Sequence, residues 1–203
     1  MVKNSPVIVY GAVEGDLDEV VLRRLLERKS FYIEGIFGKR GKDFLKAKIG
    51  NYNQAAKYNR WIVLVDLNSS AECAPELVSK WLPRCNPYMS LRVVVHAIES
   101  WLLSDKEQIA KHLSIPEKYI PPNPESLLNP KQTLVNLAKK SRNKQIREDM
   151  VPREKSGRDI GPAYTSRLID YISNHKDGWR PDVAAQYSDS LRRCINAINT
   201  WIG

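Results

Sequence analysis

The sequence predicts an α/β fold: a mostly parallel sheet with helices on both faces, followed by a helical C-terminal part. Two observations carry this. Short unbroken apolar runs, mostly β-branched or aromatic, recur at residues 7–10, 61–65 and 91–97, as suits strands covered on both faces. Amphipathic helical patterns separate them, and that alternation marks βαβ units. The division expected is an α/β core over 1–104 and a helical extension over 105–203 packed on it.

Residues 61–68, W-I-V-L-V-D-L-N, are the organising stretch. Asp66 emerges at the carboxyl end of this strand, where open α/β sheets bind ligands. The period of two puts Asp66 and Asn68 on one side, and two oxygen donors aimed at one point suit a hard cation such as Mg²⁺ or Mn²⁺. The plain alternative is that Asp66-Leu67-Asn68 only opens a turn.

In chain order, 7–10 is a strand ended by Gly11, and a helix over 17–28 follows, with Asp16 and Glu19 in the N-cap and N3 relation of a capping box. Residues 31–37 read as a second strand, 38–42 as a basic glycine-bearing loop, and 43–58 as a helix. Pro75 marks a further helix start, running on through 76–82, and the strand over 91–97 closes near Glu99. Beyond Trp101 the chain turns helical. Ser104 and Glu107 make a capping box for a helix over 105–113, and Pro116, Pro121, Pro122 and Pro124 form a stiff connector. Asn129-Pro130 caps a helix over 131–140. The charged run 139–158 lacks periodicity and reads as a loop or mobile segment. Helices over 162–173 and 190–202 follow, the last striped by Leu191, Cys194, Ile195, Ile198 and Ile202.

The chain has 203 residues and a formal net charge of +9, from 32 Lys and Arg against 23 Asp and Glu. A surplus of that size favours a polyanionic partner, nucleic acid being the commonest. Cys73, Cys85 and Cys194 show no ligand spacing among themselves or with His96, His112 and His175, which argues against zinc and for reduced thiols in a cytoplasmic protein. No stretch reads as a signal peptide or membrane span.

Glu14 falls in the turn between the first strand and its helix, on the edge where Asp66 emerges, and Gly15 lets the backbone bend there. It could share a metal with Asp66 or act as general base. Asp16, Asp18 and Glu19 occupy a first helical turn, where acids complement the dipole without further role; Asp18 is the best exception. Glu99 follows the strand over 91–97 and could reach the same edge, while Asp105 doubles as a helix-start residue. G-I-F-G-K-R-G-K-D over 35–43 has the wrong spacing for a P-loop, and Asp43 stands where Ser or Thr would hold Mg²⁺. Lys39, Arg40 and Lys42, then Lys139, Lys140, Arg142, Lys144 and Arg147, are candidate phosphate contacts, against a solvated face.

V-E-G-D-L-D-E (13–19), W-I-V-L-V-D-L-N (61–68) and H-A-I-E-S-W-L-L-S-D (96–105) together resemble a family of single-domain Toprim-like proteins of unassigned function. These often accompany ATPases in bacterial defence loci and are related to overcoming-lysogenization-defect nucleases. The similarity continues through P-K-Q-T-L and Y-S-D-S-L-R-R. The resemblance implies a Mg²⁺-dependent nuclease or catalytic nuclease subunit, with Glu14 as acid/base or metal ligand, Asp18 its companion and Asp66 a metal ligand. Asn68 replaces the second carboxylate of the family's D-x-D triplet and removes a negative charge. This motivates the alternative of a non-catalytic subunit that binds nucleic acid or a partner and works with an ATPase. A phosphoacceptor receiver domain would need an acidic pair beside the first strand, which Tyr10-Gly11-Ala12-Val13 does not supply. The geometric expectation is that Glu14, Asp66 and Glu99 converge at one sheet edge.

Overall fold

A computed structural model describes residues 5–27, 30–68 and 73–202. The chain forms two compact units, Met1–Val95 with Arg192–Gly203, and His96–Leu191. The boundary drawn from the sequence at 104 falls at the end of a helix inside the second unit.

The first unit holds a four-stranded sheet of order β2-β1-β3-β4, with β1 Val7–Val13, β2 Phe31–Gly38, β3 Arg60–Asp66 and β4 Met89–Val94. Every pairing is parallel. From β1 the chain steps outward to β2 through α1 (Asp16–Leu26), then crosses back over β1 to β3 through α2 (Lys42–Ala55). Right-handed crossovers in opposite directions put α1 and α2 on opposite faces. The side chains agree. A Cβ on Gly11 would sit 2.6 Å from Leu22 of α1. On the other face Ala12, Trp61, Val63 and Val65 share a core with Leu45 and Ile49 of α2 and with Leu77 of α3 (Ala74–Trp81). The ends of β1 and β3 therefore flank the point where the winding reverses, the place where open sheets of this kind present a crevice.

Local chemistry shifts several boundaries from those expected. The first helix is capped one residue earlier than Asp16: Gly15 is the N-cap and its N–H donates to Asp18 Oδ2 at 3.1 Å. That helix ends at Leu26, and Arg28, expected to close it, lies outside the described residues. A bulge between Val9 and Tyr10 sets Gly35 opposite Tyr10 and leaves Glu34 as the extra residue of β2. The fourth strand stops at Val94, short of the expected 97, and a helix begins at Ile98.

The second unit begins with that helix, α4 (Ile98–Ser104), buried along its whole length. It packs against α6 (Pro130–Ala138) and α9 (Pro181–Ala184) and adjoins α5 (Lys106–His112). Trp101 and Trp179 are fully buried with both indole N–H groups satisfied, Trp101 by Ser190 Oγ at 2.7 Å and Trp179 by the Trp101 carbonyl at 3.1 Å. Asn129 caps α6 by accepting from the Gln132 N–H. The 139–158 run is not an unstructured loop. It contains α7 (Lys144–Met150), capped by Asn143 and anchored by buried Ile146 and Met150 one turn apart. α8 (Tyr164–Ser173) follows, and α10 (Asp189–Asn199) carries the chain back into the first unit. Among the described residues no helix is long and apolar enough to cross a membrane.

Candidate active site

At the carboxyl edge of the sheet the end of β1, the loop after β2 and the end of β3 are stitched together. The Lys39 N–H donates to the Val13 carbonyl and the Gly41 N–H to the Glu14 carbonyl. Gly38 makes this approach possible: its φ is +91°, and a Cβ would lie 2.4 Å from the Val13 oxygen. Glu14 Oε1 accepts the Asp66 N–H at 2.8 Å across 52 residues of sequence. Glu14 and Asp66 are thus neighbours at the winding reversal, both half-buried, with Asp66 Oδ1 shielded from solvent. Asp18, at the N3 position of α1, is buried, and its Oδ2 accepts the N–H of the N-cap Gly15, so this candidate braces the start of the helix.

Lys42 was expected to meet phosphate. Its ammonium instead donates to the main-chain carbonyls of Asp66 at 2.7 Å and Leu67 at 2.8 Å. Those carbonyls end β3, and a charged donor satisfies both at once. Only the tertiary fold brings the first residue of α2 to them, so no local pattern announces the contact. Lys39 is also engaged, through Glu19 at 2.7 Å and Asp16 at 3.6 Å. Burial works to raise the Glu19 carboxyl, but its hydrogen bonds to Lys39 and Arg23 and their charges outweigh it and hold the group low. Arg40 lies over the Phe44 ring at 4.6 Å.

Asn68 is exposed with φ +50°, a left-handed conformation that Asn tolerates well. The residues that follow it, 69–72, lie outside the described residues. Among the described residues no three His, Cys, Asp or Glu side chains group closely enough to hold a metal ion. The edge presents the carboxylates of Glu14 and Asp66, the first bound to the main chain of the second. That donor set, hard oxygen without imidazole or thiolate, fits a water-rich Mg²⁺ or Mn²⁺ ion, which takes one or two carboxylates and keeps several waters.

The remaining candidates belong to the second unit. Glu99 stands on the first turn of α4, only 2 % exposed, and accepts the Tyr164 hydroxyl at 3.2 Å. Burial pushes that hydroxyl well above the usual tyrosine range, and the Glu99 charge adds to it, so Tyr164 remains the donor. Asp105 is fully buried, caps α5, and forms a two-pronged ion pair with Arg180. Lys139 and Arg142 are exposed, and Lys140 lies 5.0 Å over the Tyr119 ring.

Comparison with protein-family models, with curated proteins and with solved structures gives no match.

Proposed function

We propose that the carboxyl edge of the sheet is a divalent-metal phosphoryl-transfer site acting on nucleic acid, making the protein a nuclease or the catalytic subunit of one. The observation that carries this reading is the Glu14–Asp66 pair, joined by a 2.8 Å hydrogen bond at the winding reversal of a parallel sheet. The basic balance of the chain and the resemblance to Toprim-like proteins support it. Glu14 and Asp66 would hold a Mg²⁺ or Mn²⁺ ion, which when bound offsets phosphate charge and acidifies water. Glu14 is the group able to take up a proton, and its bond to the Asp66 main chain sets where its carboxylate stands. Lys42 fixes the strand end that carries Asp66. Incubation with DNA and with RNA in Mg²⁺ or Mn²⁺ tests the reading: Asp66→Ala should lower cleavage by about 100-fold or more. Equal cleavage by wild type and variant sinks it.

A second reading is favoured by Asn68, a neutral amide in left-handed backbone where the family carries a carboxylate. It is a binding subunit that keeps the fold and acts with an ATPase partner; the partner and the phage-defence setting come from the resemblance alone. Calorimetric titration separates the two. The subunit reading expects Mg²⁺ binding weaker than millimolar that Asn68→Asp strengthens clearly, and tight wild-type binding unchanged by Asn68→Asp removes it.

A further inference from the structure

The charge of the second unit is segregated along its sequence. Residues 139–158 carry eight Lys and Arg against three acids, whereas the rest of the 96–191 span carries seven against ten. The basic segment also has shape. α7 and the loop after it border a groove of about 640 Å³ lined by Lys144, Arg147 and Arg153, and a second of about 450 Å³ is lined by Lys131 and Arg158. Pro162 lines both, so they adjoin.

The loop is held in place. The Gly161 N–H donates to the Met150 carbonyl at 3.0 Å and the Ala163 N–H to Asp149 at 2.9 Å, closing 151–160 against the end of α7. Gly161 packs so tightly there that a Cβ would meet the Asp149 oxygen at 2.3 Å. Within the loop a turn donates the Ser156 N–H to the Arg153 carbonyl, and Lys155 and Gly157 take left-handed backbone at +61° and +67°. Two of the acids in the groove are answered locally. Asp149 is bound by Arg167 and Gln145, and Glu148 lies 3.5 Å from Lys144. Arg153, Lys155 and Arg158 are all exposed.

We propose that this groove is a docking surface for the phosphate backbone of nucleic acid, with Lys131, Arg153 and Arg158 as principal contacts. The cations are spread along two adjoining grooves, so an extended polyanion satisfies them and a single phosphate does not. The proposal deepens the nucleic-acid part of the reading above and is independent of its metal part.

The test is fluorescence anisotropy of labelled single-stranded and duplex DNA with the full-length chain, in chelator, across a salt series. Wild type binds without divalent ion, and log affinity falls linearly with log salt. Lys131→Glu/Arg153→Glu/Arg158→Glu weakens binding by about tenfold or more and flattens the duplex salt slope by roughly two to three. The neutral Gln triple variant, checked by circular dichroism, does the same to a smaller extent and covers misfolding of the Glu variant. Lys48→Glu/Lys57→Glu/Lys176→Glu makes the same charge change at exposed residues that do not line the groove, and should cost less than threefold, well short of the groove variant. Binding is read in chelator, without any divalent ion, so loss of the metal reading leaves this one standing. The proposal is overturned by no DNA binding at low salt, by groove variants that bind as wild type, or by equal losses in the control triple.

Discussion

Asp105 receives four donors: the Gln108 N–H, the Arg180 N–H, and Arg180 Nε and Nη2 at 2.9 and 2.7 Å. A carboxylate with no exposure is tolerable only while so answered, and removing its partner leaves a buried charge. Arg180→Met should therefore destabilise the protein by about 3 kcal/mol in urea titration, whereas Glu107→Gln, which loses only exposed pairs to Lys111 and Arg180, should leave the urea midpoint nearly unchanged. His112 gives a pH signature. Burial beneath the Tyr171 ring, 4.9 Å away, and the nearby Arg167 charge hold it at about 4 against the ordinary 6.5, with Asp170 opposing. Its folded value is the lower one, so the unfolded chain binds the proton first. The contribution is complete above pH 6.5, falls as pH drops toward 4, and amounts to at most about 3 kcal/mol. His112→Phe keeps a ring on Tyr171 and should flatten the stability profile across that window; an unchanged profile refutes the assignment. The thiols divide as well. Burial pushes Cys194 up to about 12 while Cys73 and Cys85 are exposed. Two of three cysteines should react with a thiol reagent natively and the third only on unfolding.

At the scale of elements, the end of β2 depends on one backbone position. Gly38→Ala puts a methyl group 2.4 Å from the Val13 oxygen at φ +91°, and should cost roughly 2–4 kcal/mol. It should also loosen the stitch that carries Glu14, read as faster amide exchange at Lys39 and Gly41. The same edge shows what sequence pattern can and cannot carry. Glu14 and Asp66 were legible because each directly follows an apolar strand, and parallel topology then sends both to one edge. The partnership of Lys42 with the β3 carbonyls was not, because it spans 24 residues and depends on α2 packing. α4 escaped because residues 98–104 are buried on every side, and such a helix has no polar face to betray its period. Glu99, read as following the strand over 91–97, stands on the first turn of this helix and accepts the Tyr164 hydroxyl. α7 escaped for the opposite reason, two buried residues being too few to show a stripe among charges.

At the scale of the whole molecule, the first unit is discontinuous, and its last piece returns from the far end of the chain. Cys194, Ile195 and Ile198 are buried, and Trp201 meets Phe31 of β2 edge-on at 6.5 Å. Phe31 shares the face of Val7, Val9 and Gly11 that α1 also covers, so Trp201 adds to the cover of that face. Three buried side chains at roughly 1.5–3 kcal/mol each approach the whole stability of a typical domain. The second unit has its own core around Trp101, Trp179, Tyr164 and Leu168 and keeps Ser188 and Ser190, which bind Glu125. A chain ending at Leu191 should therefore unfold unevenly. Hydrogen exchange should show the amides of β1 to β4 losing protection while those of α4, α6 and α8 keep theirs. Protection lost equally in both units would mean that they fold as one cooperative body. Protection unchanged in the sheet would mean that α1, α2 and α3 suffice to cover it.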